Sequence, residues 1–211
     1  LTRSSAASDV YKRQMQNAVH SLLQAPHLDD RQKVYLELLR DGLARVASTT
    51  RRMLEFAPKD AEPHAFDAVT AIEGAFALVE HRCSHEGVTF DLRTEDDRPA
   101  VHGDAHEIQQ VVLNLLLNSL DAIAGAGGEI TVSVRGEDDK VFISVVDDGP
   151  GMPAELQSRI FDPFFTMKAR PDASGLGMFI SYSIVQNHGG AMRIESRPGA
   201  GFQVFIELPA A

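Results

Sequence analysis

The chain has 211 residues, 44% of them hydrophobic, enough for one ordinary core with an appendage. A formal charge of −10 leaves no basic surface to gather phosphates, so nucleic acid is excluded as the main partner. The single cysteine, Cys83, excludes an internal disulfide and fits the cytosol, and the best apolar run, Val111 to Ala126, is interrupted by Asn114, Asn118 and Asp121, so no membrane segment is expected.

Leu1 to Gln14, "LTRSSAASDVYKRQ", are small, polar and without period. They read as a non-native adapter scar preceding a truncated chain, with a natural tail as the alternative. Residues 15–57 have the spacing of a helical hairpin. Met15, Val19 and Leu22 mark a short first helix stopped by Pro26; Asp29 or Asp30 can cap a second. Leu36, Leu39, Leu43, Val46, Thr50 and Met53 recur at alternating steps of three and four, a narrow seam that calls for a second copy to bury it as a homodimer. Residues 58–64, with Pro58, Lys59, Asp60, Glu62 and Pro63, form a polar linker.

Residues 65–211 alternate helix and strand. Ala68 to Arg82 is predicted as a helix, Gly87 to Arg93 as a strand, and Asp104 with Glu107 as a capping box opening the helix of the Val111 run. Ile130, Val132 and Val134, then Val141, Ile143 and Val145, alternate with polar residues as a hairpin with one buried face. Met178 to His188 is a predicted helix ended by Gly189 and Gly190, and Phe202, Val204, Ile206 and Leu208 form a last strand. The expected class is α+β, a mixed, mainly antiparallel sheet with helices on one face.

Within the Val111 helix, steps of about 100° put Gln110, Asn114, Asn118 and Asp121 in one quadrant, with Val112, Leu113, Leu116, Leu117 and Leu120 around the rest. An unpartnered buried amide costs about 1–3 kcal/mol, so two in line point to a lined cavity. An asparagine oxygen is a neutral, hard ligand suited to Mg²⁺ that already holds phosphate; capping of backbone groups is the plainer alternative. Asp147 to Met152, "DDGPGM", ends an apolar strand with a carboxylate able to accept from an exocyclic amine and glycines that admit a flat ligand, or forms only a turn. "SGLGM", Ser174 to Met178, puts Gly175 and Gly177 at a helix start, either an anion site or close packing. "FDPFFTMK", Phe161 to Lys168, reads as core or recognition surface, and Lys168 and Arg170 enter a loop that is a phosphate lid or a solvated connection.

Taken in order, helix N-x-x-x-N, strand then D-x-G-x-G, F-x-P-F-F, G-x-G at a helix start and the G-x-G of "PGAGF" closely resemble the nucleotide-binding domain of sensor histidine kinases. That domain belongs to the wider Bergerat (GHKL) family shared with gyrase B and mismatch-repair ATPases. The resemblance spans roughly Phe66 to Pro209, and "LLRDGLARVASTTRRMLEFA" is similar to the second helix of the kinase dimerisation and phosphotransfer hairpin.

The resemblance implies a Bergerat-type α/β sandwich that binds ATP and Mg²⁺. It implies Asn118 as Mg²⁺ ligand, Asn114 as its catalytic neighbour and Asp121 further along the nucleotide face. Asp147 would accept from the adenine amino group, in a pocket shaped by Gly149 and Gly151. Gly175, Leu176 and Gly177 would lie beside the phosphates, Phe164 and Phe165 would brace the lid, and Lys168 would reach the terminal phosphate. The implied reaction is transfer of the γ-phosphoryl group to a histidine, then to an aspartate of a response-regulator receiver domain. The implied location is cytoplasmic, as a free protein or as the cytoplasmic part of a membrane-anchored sensor. "NSLDAI" departs from the family in lacking a basic residue after the second asparagine, which raises the weight on Lys168 and Arg170. The acceptor pattern is missing too: His20 has neither the following acid nor the Asn-Pro or Thr-Pro, so this chain is expected not to phosphorylate itself. Two rivals are a gyrase- or mismatch-repair-like ATPase clamp, which uses an acid where Asn114 stands, and a degenerate kinase serving as a docking adaptor.

Overall fold

The computed structural model describes residues 18–19, 21–22, 28–29, 31–40, 42, 63–95, 98–123, 125, 127–168 and 173–211. Leu1 to Gln14, Met15, His20, Pro26, Asp30, Leu43, Val46, Thr50, Met53, the linker before Pro63, and Arg170 lie outside the described residues. The chain divides into two units, Leu1–Lys59 with Lys168–Ser174, and Asp60–Met167 with Gly175–Ala211.

In the first unit residues 31–40 are helical. Asp29 Oδ1 accepts from the Gln32 N–H at 2.7 Å, and Gln32 Oε1 accepts in return from the Asp29 N–H at 3.0 Å. This reciprocal box satisfies two donors at once and makes Asp29 the cap. Leu36 is half-buried, while Val34, Tyr35, Leu38 and Leu39 are exposed.

The second unit runs β1 (His64–Asp67), α1 (Ala68–Ala77), α2 (Glu80–Glu86), β2 (Val88–Thr94), β3 (Ala100–Gly103), α3 (Ala105–Ile123), β4 (Gly128–Glu137), β5 (Lys140–Asp147), α4 (Ala154–Gln157), α5 (Gly177–Asn187), β6 (Ala191–Ser196) and β7 (Phe202–Pro209). The five-stranded sheet has the order β2-β4-β5-β7-β6, with β2 and β4 parallel and every other pair antiparallel. β1 and β3 pair separately as a two-stranded antiparallel sheet. This is the mixed, mainly antiparallel α+β architecture expected from the alternation.

The period of two decides which face is covered. Ile130, Val132 and Val134 of β4, Val141, Ile143 and Val145 of β5, and Val204, Ile206 and Leu208 of β7 are all buried. The register places Val132 opposite Val145 and Val145 opposite Val204, so one apolar row crosses three strands. Helices α3 and α5 pack on each other and bring Val112, Leu116, Leu120, Ile180 and Ile184 into the core. Each fully buried leucine or isoleucine contributes about 1.5–3 kcal/mol. On the other face Arg135 lies over the Phe142 ring and Arg193 over Phe205, at 4.9 and 3.9 Å from the ring centres.

Three local expectations are corrected. The single helix predicted over Ala68 to Arg82 is two helices, because Leu78 and Val79 donate to the carbonyls of Ala75 and Phe76 at 3.2 and 2.8 Å. These three-residue bonds tighten the chain and turn Val79 into the core while Leu78 points out. The strands β1, β3 and β6 are short and were not read from the pattern. Asp104 caps α3, accepting from the His106 N–H at 2.8 Å, but Glu107 does not close the box. The Asp104 N–H donates instead to His188 Nε2 at 3.2 Å, across 84 residues. Gly103 leaves room for that ring: a Cβ there would fall 2.3 Å from His188 Cδ2.

Candidate functional site

Helix α3 places the two asparagines. Gln110, Asn114, Asn118 and Asp121 are all half-buried and share one side, with Leu113 and Leu117 half-buried beside them. The opposite side is closed by Val111, Val112, Leu115, Leu116, Ser119 and Leu120. Asn114 Nδ2 lies 3.5 Å from Ser181 Oγ on α5, a hydroxyl with no exposed surface. Gly177, the first residue of α5, faces both amides: a Cβ built there would stand 3.9 Å from the Asn114 carboxamide carbon and from Asn118 Nδ2. Leu176 at the N-cap contributes no side-chain cap bond, and the dipole at a helix N-terminus favours an anion. Asp121, last in the stripe, is engaged by Arg82 of α2, whose Nη2 donates to Oδ1 at 2.6 Å while Nε holds Glu86. Both bonds, Glu86 first, raise the Arg82 pKa.

Asp147 stands at the end of β5. The alternation Val141, Ile143, Val145 delivers it to the buried face, where it is 4% exposed. Burial pushes its pKa above the ordinary carboxylate value, opposed by hydrogen bonds from Ser119 and from the Gly149 and Phe202 backbone, with nearby Asp148 adding to the rise. Ser119 Oγ donates to Asp147 Oδ2 at 2.7 Å, and the Gly149 N–H donates to Oδ1 at 3.0 Å. Gly149 permits this approach, since a Cβ there would come within 2.8 Å of that same oxygen. Ser119 was not singled out from the sequence. The signal was present: in the row Val111, Leu115, Ser119 of an otherwise apolar side, one member is a hydroxyl.

The loop after Asp147 is clasped by the turn before β7. Gly151 has φ +67 and its missing Cβ would lie 2.0 Å from the Arg197 carbonyl; Gly201 has φ +78 and would meet the Asp147 carbonyl at 2.0 Å. Gly201 N–H donates to the Gly149 carbonyl and Gly199 N–H to that of Pro150, at 3.1 and 2.7 Å. The G-x-G of "PGAGF" therefore serves the Asp147 loop directly.

The phenylalanine segment is partly surface. Phe161 lies 4.8 Å from the Tyr182 ring, Phe165 carries Arg159 over its face at 4.9 Å, and Phe164, with φ +68, is 59% exposed. Its backbone is what matters inside: a Cβ on Gly175, at φ +64, would fall 2.4 Å from the Phe164 carbonyl carbon and 2.7 Å from the Phe165 oxygen. Leu176, 1% exposed, anchors the next position in the core. The structure thus joins Asn114 and Asn118 to Gly177, Gly175 to Phe164 and Phe165, and α3 to Asp147 and Gly149. Lys168 falls in the first unit. Among the described residues no group of three or more His, Cys, Asp and Glu could hold a metal ion, and no helix is long and apolar enough to cross a membrane.

Residues 103–211 match the family described as histidine kinase-, DNA gyrase B-, and HSP90-like ATPase. Sensor histidine kinase ZraS of Escherichia coli (strain K12) is 33% identical over 169 residues, covering 80% of this chain and 35% of that protein. The chain spans less than half the length of the curated relatives it matches. Among solved structures, the catalytic domain of histidine kinase ThkA has a TM-score of 0.64 and 31% identity, over 71% of this chain and 96% of that one. Histidine kinase ThkA in complex with response regulator protein TrrA has a TM-score of 0.68 and 25% identity, over 99% of this chain and 61% of that one.

Proposed function

The chain belongs to the histidine kinase-, DNA gyrase B-, and HSP90-like ATPase family, and on that premise we propose that residues 65–211 are the ATP-binding catalytic region of a sensor histidine kinase. The reaction breaks the bond between the γ-phosphorus and its bridging oxygen, forms a phosphorus–nitrogen bond to a histidine and releases ADP. A response-regulator receiver domain is the next acceptor, a reading supported by the likeness to the ThkA–TrrA complex.

One observation carries this reading: α3 contacts Asp147 through Ser119 on one side and faces Gly177 with Asn114 and Asn118 on another. The base end and the phosphate end of a nucleotide are then set by one rigid helix. Asp147 accepts from the adenine amine, Gly149 and Gly151 admit the ring, and Gly175, Leu176 and Gly177 bring the α5 start to the phosphates. Phe164 and Phe165 brace that segment. Asp121, at the end of the same stripe and tied to α2 through Arg82, lies further along the nucleotide face, and Lys168 is assigned to the terminal phosphate on its place in the motif alone.

The residues present fit a Mg²⁺ that keeps phosphate and water ligands. Asn118 offers a neutral oxygen donor on the half-buried stripe, and its carboxamide lies beside the start of α5, with Nδ2 3.9 Å from where a Cβ on Gly177 would stand. When bound, the ion neutralises phosphate charge. Asn118 would hold it, with Asn114 as its catalytic neighbour one turn earlier on the same stripe. In calorimetric titration, Asn118→Ala should lower Mg²⁺-dependent ATP affinity about tenfold or more; an unchanged affinity in the folded variant rejects the assignment.

Residues 15–57 are proposed as belonging to a dimerisation and phosphotransfer hairpin, paired with a second copy; the exposed Val34, Leu38 and Leu39 support an apolar partner. No histidine in the chain is followed by both an acid and an Asn-Pro or Thr-Pro. Incubation with γ-labelled ATP should therefore leave the chain unlabelled. Label that disappears in His20→Gln would identify His20 as an acceptor and overturn this.

A further inference from the structure

Ser119, Asp147 and Ser181 are the buried polar residues among those described, and the first two touch each other. We infer that Ser119 is a positioning residue for base selection: its hydroxyl fixes the Asp147 carboxylate so that it accepts from the amine of adenine and discriminates against a purine with a carbonyl at that position. The inference rests on the nucleotide-binding reading above and extends it to a residue outside the nucleotide's own contacts.

The geometry separates the two carboxylate oxygens. Gly149 N–H takes Oδ1 and Ser119 Oγ takes Oδ2. The carboxylate can then turn neither way without losing a bond, and its remaining lone pairs have a set direction. The Phe202 backbone is a third donor, and among the apolar neighbours Ile130 stands opposite Asp147 in the strand register and Ile123 reaches the same glycine. In such a place burial favours the neutral acid, and a neutral acid can donate as well as accept, which erases the distinction between an amine and a carbonyl. Hydrogen bonds to the charged form oppose this, that of Ser119 foremost. The charged neighbour is Asp148, from the same loop, which disfavours ionisation. The Gly149 and Phe202 donors are backbone and present whatever the side chain; Ser119 is the donor that a substitution can remove.

The test uses the full chain, with ATP and ITP, which differ at the amine. Wild type should prefer ATP. Ser119→Ala should narrow that preference about tenfold near neutral pH and lose ATP affinity at a higher pH as the solution is acidified, while Ser119→Thr, which keeps the hydroxyl, should restore both. The Asp147 carboxyl signal in the nucleotide-free protein, followed by NMR, should titrate at higher pH in Ser119→Ala. If that variant does not fold, Ser119→Cys, a weaker donor, should shift the same quantities in the same direction. Equal affinities of wild type for ATP and ITP would overturn the adenine role of Asp147, and this inference with it. A wild type that prefers ATP, with an unmoved preference and an unmoved Asp147 titration in the variant, would overturn the role of Ser119 alone.

Discussion

Asp147→Ala is expected to weaken ATP binding about a hundredfold while the chain stays folded. Hydrogen bonds to a charged group contribute about 1.5–3 kcal/mol, and the upper part of that range corresponds to about two powers of ten in affinity. The folded chain survives because two effects oppose: a desolvated carboxylate is removed, and Ser119 Oγ and the Gly149 N–H lose their acceptor. Linkage gives binding and folding opposite signs. The folded-state pKa of Asp147 is raised, so its contribution to stability is fully present below the unfolded-state value and is lost as pH rises through the folded one. Nucleotide recognition needs the ionised form and so weakens as pH falls through that same raised value. Calorimetry across pH should show an acid-side loss of ATP affinity in wild type and no such component in Asp147→Ala; identical profiles would remove Asp147 from the site.

Gly201→Ala should be a severely damaging single-methyl change to stability, about 3 kcal/mol or more. The residue sits at φ +78, and the new Cβ would lie 2.0 Å from the Asp147 carbonyl and 3.4 Å from the Asp148 α-carbon, both backbone. No side chain can swing away to relieve that contact, so the clasp on the Asp147 loop must open. Gly199 provides the control. It has a similar φ, +76, but nothing within 4 Å of its missing Cβ, and Gly199→Ala should cost about 1 kcal/mol from backbone strain alone. Urea unfolding of both variants separates the causes: equal losses would mean that conformation, and not contact, is what makes Gly201 necessary.

The longer strands and helices and the covered face of the sheet were legible because they depend on local period, whereas the short β1, β3 and β6 were not. Val141, Ile143 and Val145 announce a half-buried strand wherever it is placed, and the five-stranded sheet buries all three. The stripe Gln110, Asn114, Asn118, Asp121 was likewise legible, since helix geometry alone lines these residues up. What the stripe faces was not. Asp121 meets Arg82 across 39 residues, and the two asparagines face Gly177. The family resemblance pointed to Asn118 and Asp147 but offered no reason for serine at 119.

By itself, then, the sequence determined the α+β class, the strand and helix faces, the carboxylate at the inward end of β5 and the glycine spacing around it, all set by residues within a few positions of one another. Only the structure showed that Asp29 pairs with Gln32 at the start of the described helix and that Leu78 and Val79 break the first long helix, and only the tertiary fold decided that His188 takes the bond expected of Glu107. It alone joined Ser119 to Asp147 over 28 residues and laid Gly201 against the Asp147 backbone. The physical reason is one of range. Periodicity reports which side of an element avoids water, whereas a buried donor, acceptor or bare α-carbon is explained by the group that occupies the space before it, and that group comes from wherever the fold returns the chain.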